Sequence, residues 1–280
     1  MTRMAEMKKL EESTKQELLQ ELEKLNKAQL RIKRRTTFLL SIIAMLVLIT
    51  STLAWFTINS FASVENIQMN ITTGVELRVD MDNHGSDITQ YKKTITSDMI
   101  NSYLRSNHNT TMADQLLDPV TTTNGVTFVN KSGVSKSAND TTYLEFKAWF
   151  IASKEMWVHL SSDTATSLNN ATTSVTTTST GAQADIVRAI RVSFEDSGSA
   201  AIYEPNAGSP VNGQSTFDLP TPMSYTNSTR LFHLNELEPK QITIRLWLEG
   251  NDPECDNDVQ DANISVDLLF NGTDDLNNTF

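Results

Sequence analysis

The chain has 280 residues, 39% of them hydrophobic, and a formal net charge of -11, a size that suits one large domain or two small ones. Residues 1–35 hold ten Lys/Arg against six Asp/Glu, whereas the other residues hold 13 against 28. An acidic body excludes a nucleic-acid surface, because phosphate binding needs clustered Lys and Arg. The single cysteine, Cys255, excludes an intramolecular disulfide and a cysteine-based zinc site.

Residues 1–35 have the pattern of a charged helix that faces the cytoplasm. Glu11–Lys15 and Glu23–Lys27 are attractive pairs at i,i+4, and no Gly or Pro interrupts the segment. The segment suits a coiled-coil handle or a solvated helix ahead of an export signal. Its apolar stripe covers only about one and a half heptads, which favours the solvated helix. The stripe consists of Leu18, Leu22, Leu25, Gln29 and Ile32.

Residues 36–58, TTFLLSIIAMLVLITSTLAWFTI, form an uncharged apolar run. A helix of about 20 residues spans the hydrocarbon core of a membrane. The preceding RIKRR, residues 31–35, carries four cations, which hold that end in the cytosol. We therefore expect a transmembrane or signal helix here, with the rest of the chain outside the cell.

The same run meets the requirements of a signal peptide, with a basic region, an apolar region and small residues at its end. Ala54 follows Thr52 at the spacing of a cleavage site, and Ala62 follows Ser60 in the same way. The cleavage-site residues favour a cut after Ala54, with Ala62 as the second site. The length of the run and its 35-residue charged leader favour a retained anchor, and the sequence leaves both open.

Residues 59–280 are predicted to form an extracytoplasmic, mainly β domain. Apolar and polar residues alternate along several segments, which indicates strands with one buried face. No long helical pattern separates them, so we expect antiparallel pairing in a β-sandwich or jelly roll. The clearest predicted strands are residues 75–81, 141–152, 156–161, 189–196, 241–250 and 262–272.

Three stretches of this domain depart from the strand pattern. Residues 96–120 are predicted to hold one or two short helices, and the segment that begins at Asp185 is predicted to start helical before its strand. Residues 167–183 are a low-complexity Thr/Ser tract with few apolar side chains. Such a tract cannot bury enough apolar area to fold by itself, so we expect a disordered surface loop there.

The sequence shows no catalytic constellation, and we expect no enzymatic activity. The four histidines are scattered, and neither a helical zinc-protease motif nor a serine nucleophile elbow occurs. Carboxylates around Cys255 are expected to raise the pKa of its thiol, which disfavours a nucleophile. The same acidic loop, residues 251–261, offers the only candidate cation site. Either calcium binds there or the loop is simply solvated, with Asp252, Glu254, Asp256 and Asp258 as the candidate ligands.

The apolar run ending in TLAWF, the VELRV strand that follows it and the Thr/Asn-rich β body together resemble the TasA/camelysin group of bacterial surface and biofilm-fibre proteins. The late pattern ELEPKQITIRLWLEG … ISVDLLF is similar to the closing strands of that group. The resemblance implies processing by a SipW-type signal peptidase and a jelly-roll body at the cell surface. Its expected partners are the membrane, the peptidase and further copies of the chain.

The resemblance also implies fibre assembly by a strand donated to a neighbouring subunit. Residues 55–72 suit a donor strand, because Phe56, Ile58 and Val64 alternate with polar neighbours and could extend an open sheet edge. The alternatives are that this segment is the domain's own first strand or a stalk. Two other functions stay open, a membrane-anchored binding or sensor module and a camelysin-type metalloprotease.

Overall fold

The structure is a computed structural model that describes residues 29, 33, 35–42, 62–72, 76–164, 171–205 and 214–280. The chain divides into two compact units, Met1–Ile58 and Asn59–Phe280. In the first unit, residues 35–42 are helical, and the Ser41 hydroxyl donates to the Thr37 carbonyl one turn back. No helix within the described residues is long and apolar enough to cross a membrane. Most of the predicted charged helix, and the predicted membrane segment beyond Ile42, lie outside the described residues.

Within its described residues, the second unit contains two large sheets, a short two-stranded hairpin and two α-helices. The helices are α1 (Ser97–His108) and α2 (Ile186–Ala189). The strands are β1 (Ala62–Ile71), β2 (Leu77–Asp80), β3 (Thr94–Ile95), β4 (Leu116–Leu117), β5 (Phe128–Val129), β6 (Ser135–Lys136), β7 (Tyr143–Ala152), β8 (Met156–Leu160), β9 (Ser174–Thr176), β10 (Ile190–Asp196), β11 (Ser199–Tyr203), β12 (Thr216–Phe217), β13 (Arg230–Leu234), β14 (Lys240–Leu248) and β15 (Asn263–Thr273).

The first sheet has seven strands, in the order β13-β8-β15-β1-β3, with β4 also paired to β1 and β9 to β15. The second sheet has six strands, in the order β12-β11-β10-β14-β7-β2. The two sheets share one apolar core. At its centre, the Phe150 ring of the second sheet lies 5.0 Å from the ring of Phe232 and 5.1 Å from that of Phe270.

The prediction of a mainly β domain is confirmed, and each clearly predicted strand is present. The expectation of purely antiparallel pairing was wrong, because β1 pairs with β15 and β11 with β12 in parallel. Alternation specifies which face of a strand is buried, but it does not specify the direction of its neighbour. Since β1 and β15 are the first and last strands that the structure describes in the unit, no tight hairpin imposes an antiparallel direction on them.

Both predicted helical stretches are present. Helix α1 buries Ile100 and Leu104, whose i,i+4 spacing places them on the same helical face. It ends at Asn109, which adopts a left-handed conformation and donates its N–H to the Leu104 carbonyl. Helix α2 leads directly into β10, in agreement with the predicted helical start near Asp185.

The Thr/Ser tract is more ordered than the sequence suggests. Within the described residues 171–183, β9 pairs with β15, and a 3-10 helix begins at Gly181. The Thr173 hydroxyl accepts the N–H of Leu269, and the Val175 side chain is buried. The expected disordered loop over residues 167–183 is therefore corrected for this part. The tract is ordered by its hydrogen bonds to a neighbouring strand, because it has too few apolar side chains to be ordered by their burial.

Candidate functional site: the slot filled by the first strand

Strand β1 lies in a slot of the first sheet. The strands on either side of this slot come from distant parts of the sequence. We define the β1 slot as residues 263–270 of β15 on one side and β3 with β4 on the other. Ser63 to Ile71 run parallel to β15, and Met69 and Asn70 pair antiparallel with β3. Ala62 and Ser63 pair with β4. Both edges of β1 are therefore hydrogen bonded, and the strand is internal to its sheet.

A β-bulge divides β1 into two halves. The register with β15 shifts between Val64 and Asn66, where two consecutive polar residues, Glu65 and Asn66, occur. Such an extra residue reverses which positions face the core. Burial therefore passes from even to odd positions across the bulge, and the core-facing residues are Ala62, Val64, Ile67, Met69 and Ile71.

The sequence-predicted donor residues are partly placed by the structure. Ala62 and Val64 lie in the half of β1 that precedes the bulge, and both side chains are buried, at 0% and 2% exposure. Phe56 and Ile58, together with the cleavage candidate Ala54, lie outside the described residues. The prediction missed the core-facing residues after the bulge, although the polar pair Glu65–Asn66 was a readable signal for it.

Polar side chains form hydrogen bonds with β1, or just beyond it, at three points along the strand. The Ser97 hydroxyl, at the start of α1, has the Asn66 side-chain oxygen and the Ile67 carbonyl as acceptors for its one proton, and it accepts the Ile67 N–H. The Thr94 hydroxyl donates to the Asn70 side chain over 3.2 Å. At the end of the strand, the Thr72 hydroxyl donates to the buried Asn271 side chain over 2.8 Å. Each of these contacts requires a particular polar residue at a particular position. They can therefore fix the register of β1, which similar apolar side chains alone would leave undetermined.

The apolar contribution of β1 is large relative to the stability of a domain. Val64, Ile67, Met69 and Ile71 are each at most 2% exposed. Full burial of such a side chain contributes about 1.5–3 kcal/mol, so the four together contribute about 6–12 kcal/mol. Since a domain is stable by only about 5–15 kcal/mol in total, the body requires a strand in this slot.

The acidic loop has a structural arrangement that the sequence did not reveal. It crosses from β14 in the second sheet to β15 in the first, so it is not a hairpin loop. Asp252 is buried and accepts a hydrogen bond of 2.5 Å from the Arg191 guanidinium. The same guanidinium donates a second hydrogen bond, of 2.8 Å, to Glu204. Arg191 is fully buried. A lone arginine within the apolar strand 189–196 was the signal that a buried carboxylate partner should exist.

Glu254 contacts Asp252, but the four candidate calcium ligands do not form a common cluster among the described residues. Asp256 caps the short 3-10 helix Asn257–Val259 by accepting the Asp258 N–H over 2.8 Å. A hydrogen bond with Asp252, followed by burial, raises the pKa of the Glu254 carboxyl. Within the part of the chain that the structure describes, no three His, Cys, Asp or Glu side chains form a group that could hold a metal ion.

Cys255 and His159 are held in uncharged forms. Burial, with added repulsion from Asp252 and Glu249, raises the pKa of the Cys255 thiol to about 12. The expected direction is thus present, although burial is the larger cause. The His159 ring lies between Thr229 and Thr273, with 3.0 Å from a ring nitrogen to each hydroxyl. Burial, together with Arg230, lowers the pKa of His159 to about 4.

No protein-family model, curated protein or solved structure matches the chain.

Proposed function

We propose that the chain is a non-enzymatic cell-surface protein with a β-sandwich or jelly-roll body that associates with further copies of itself by donating its first strand. The observation that carries the proposal is the β1 slot. It binds a strand at the N-terminal edge of the body through both backbone edges and a buried apolar face. A second copy could supply the same strand with the same contacts, which is the physical basis of strand addition and domain swapping. A TasA-like biofilm-matrix or fibre subunit is the biological role that suits such association.

Processing by a SipW-type signal peptidase is part of the proposal, and the cut is placed after Ala54. A cut there leaves β1 whole, with residues 55–61 ahead of it. A cut after Ala62 would remove a fully buried core residue that pairs with Leu117. The integrity of the slot therefore favours Ala54.

A membrane-tethered binding or sensor module is the second candidate. The observation in its favour is the 23-residue uncharged run 36–58 behind RIKRR, which is long enough to remain as an anchor. In that form, residues 59–61 would be a short tether, and the cytoplasmic helix would stay attached to the body. A camelysin-type metalloprotease has no comparable observation in its favour.

Strand complementation tests whether the slot accepts β1 from another molecule. The Ile67→Asp substitution places a charge on the buried face of β1, so the full chain refolded in detergent should lose thermal stability. A synthetic peptide of residues 62–72 should restore it, because the peptide supplies the intact strand. The matched control is the same peptide with Ile67→Asp, which should restore nothing. Equal behaviour of the two peptides would contradict the proposal.

A further inference from the structure

The link between β1 and the rest of the body is very short. Thr72 is the last residue before the undescribed residues 73–75, and its N–H donates to the Phe270 carbonyl; beyond them, the Glu76 carbonyl accepts the Ser153 N–H beside the start of β2. Only residues 73–75 separate the two. A chain extends at most about 3.6 Å per residue, so the four steps from Thr72 to Glu76 span no more than about 14 Å. We name the end of the body that carries these two residues the hinge end.

This length restricts the geometry of any donated strand. When β1 of one copy fills the slot of another, the acceptor's Thr72 position and the donor's Glu76 must lie within the same short span. Both positions are at the hinge end of their own bodies. The hinge end of the donor must therefore contact the hinge end of the acceptor.

An open chain of copies conflicts with that restriction. Each internal copy would accept one strand and donate another at its single hinge end, so three bodies would crowd around one place. Reciprocal exchange between two copies needs only one contact at each hinge end, and it fills both slots. The same surface then meets itself, which is the interface of a two-fold dimer.

The hinge end also carries exposed apolar side chains. Leu237 is 40% exposed, and its N–H binds the Ala152 carbonyl near the start of β2. Phe280 is 44% exposed beneath the Lys154 ammonium. Leu276, 80% exposed, lies in the turn just after β15 ends at this same end. These three are a majority of the large exposed apolar side chains in the described part of the second unit; the others are Leu116 and Val134.

We infer that β1 is exchanged reciprocally between two copies of this chain, which close into a two-fold dimer through their hinge ends. This inference rests on the proposed strand donation. It adds that two copies take part and that their hinge ends form the interface. The apolar side chains of the hinge end meet their own copies across the axis. A fibre would then be built from dimers through other surfaces.

A disulfide across the edge of the slot reports which copy supplies β1. Asn70 and Thr94 face each other on antiparallel neighbours with touching side chains, which suits a disulfide. The double variant Asn70→Cys/Thr94→Cys, made with Cys255→Ala, is oxidised after the protein has assembled and is run on a non-reducing gel. Each single-cysteine variant serves as the control for chance cross-links.

The expected result is one discrete band at twice the chain mass that returns to the chain mass on reduction. A ladder of three and more chains would overturn the closed dimer and leave strand donation standing. A band at the chain mass alone would overturn both, since β1 would then fill only its own slot.

A second measurement uses the unmodified strand and slot. Light scattering of the wild-type protein should give a two-chain mass, and a one-chain mass at micromolar concentration would overturn the inference. Phe280→Asp should raise the dimer dissociation constant at least tenfold, because it charges the hinge end. Val134→Asp, at a side chain 57% exposed away from the hinge end, should leave that constant unchanged. Equal effects of the two variants would also overturn the inference.

Discussion

Replacing Asp252 by alanine should destabilise the body strongly, because it removes one carboxylate from a buried arginine. The Arg191 side chain is 0% exposed and that of Asp252 is 3% exposed. Removing one partner of a buried ion pair costs about 3–5 kcal/mol. Glu204 still pairs with Arg191 over 2.8 Å, so we expect the lower end, about 3 kcal/mol. For a unit of this size, the melting temperature should fall by roughly 6–12 °C.

The matched control is Asp256→Ala in the same loop. Asp256 is exposed and caps the short 3-10 helix by accepting the Asp258 N–H, and loss of such a cap costs about 1 kcal/mol. Thermal unfolding followed by circular dichroism, with calcium and with a chelator, compares the two variants. The loss in Asp252→Ala should be equal in both conditions. A cost of Asp252→Ala no larger than that of Asp256→Ala would contradict the buried ion pair. Calcium stabilisation of the wild type that Asp256→Asn abolishes would contradict the solvated-loop interpretation instead.

Three further outcomes are expected. The pKa of His159 is lowered to about 4 from about 6.5 when unfolded, so its neutral form stabilises the fold. About 3 kcal/mol of stability should therefore be lost as pH falls from 6.5 towards 4, and urea unfolding of His159→Gln should show a smaller loss over that range. Ser97→Ala should cost about 1–3 kcal/mol in the same assay, because it leaves Asn66 and the Ile67 backbone without this partner, whereas an unchanged midpoint would contradict the register role. External protease on intact cells should degrade residues 62–280 and spare residues 1–35, and the reverse pattern would contradict the orientation predicted from RIKRR.

The long strands of the body were predictable because their alternation is local. Residues 141–152 and 262–272 alternate over enough positions to exclude a helical period, and the structure has β7 and β15 there. Helix α1 was predictable for the same reason, since Ile100 and Leu104 are separated by one helical turn. Short-range periodicity therefore predicts these elements and which of their faces is buried.

The partners of these elements were not predictable from one sequence. The parallel pairing of β1 with β15 joins residues nearly the whole body apart, and alternation is the same for either strand direction. The contact between Arg191 and Asp252 likewise joins two elements distant in sequence. For this reason the acidic loop could be interpreted as a cation site or a solvated loop, and its buried ion pair was missed.

The N-terminal residue of the protein at the cell surface tests the account most directly. Export with cleavage would free β1 from the predicted membrane segment, which is the condition that the proposed strand donation requires. Ala54→Trp is the matched variant, because a large side chain at the cleavage position should leave the full-length chain in the membrane. For the wild type, mass spectrometry of the surface protein should find a chain that begins at Trp55. A chain that begins at residue 1 or 2 would contradict the account and leave a tethered body with its first strand kept in its own slot.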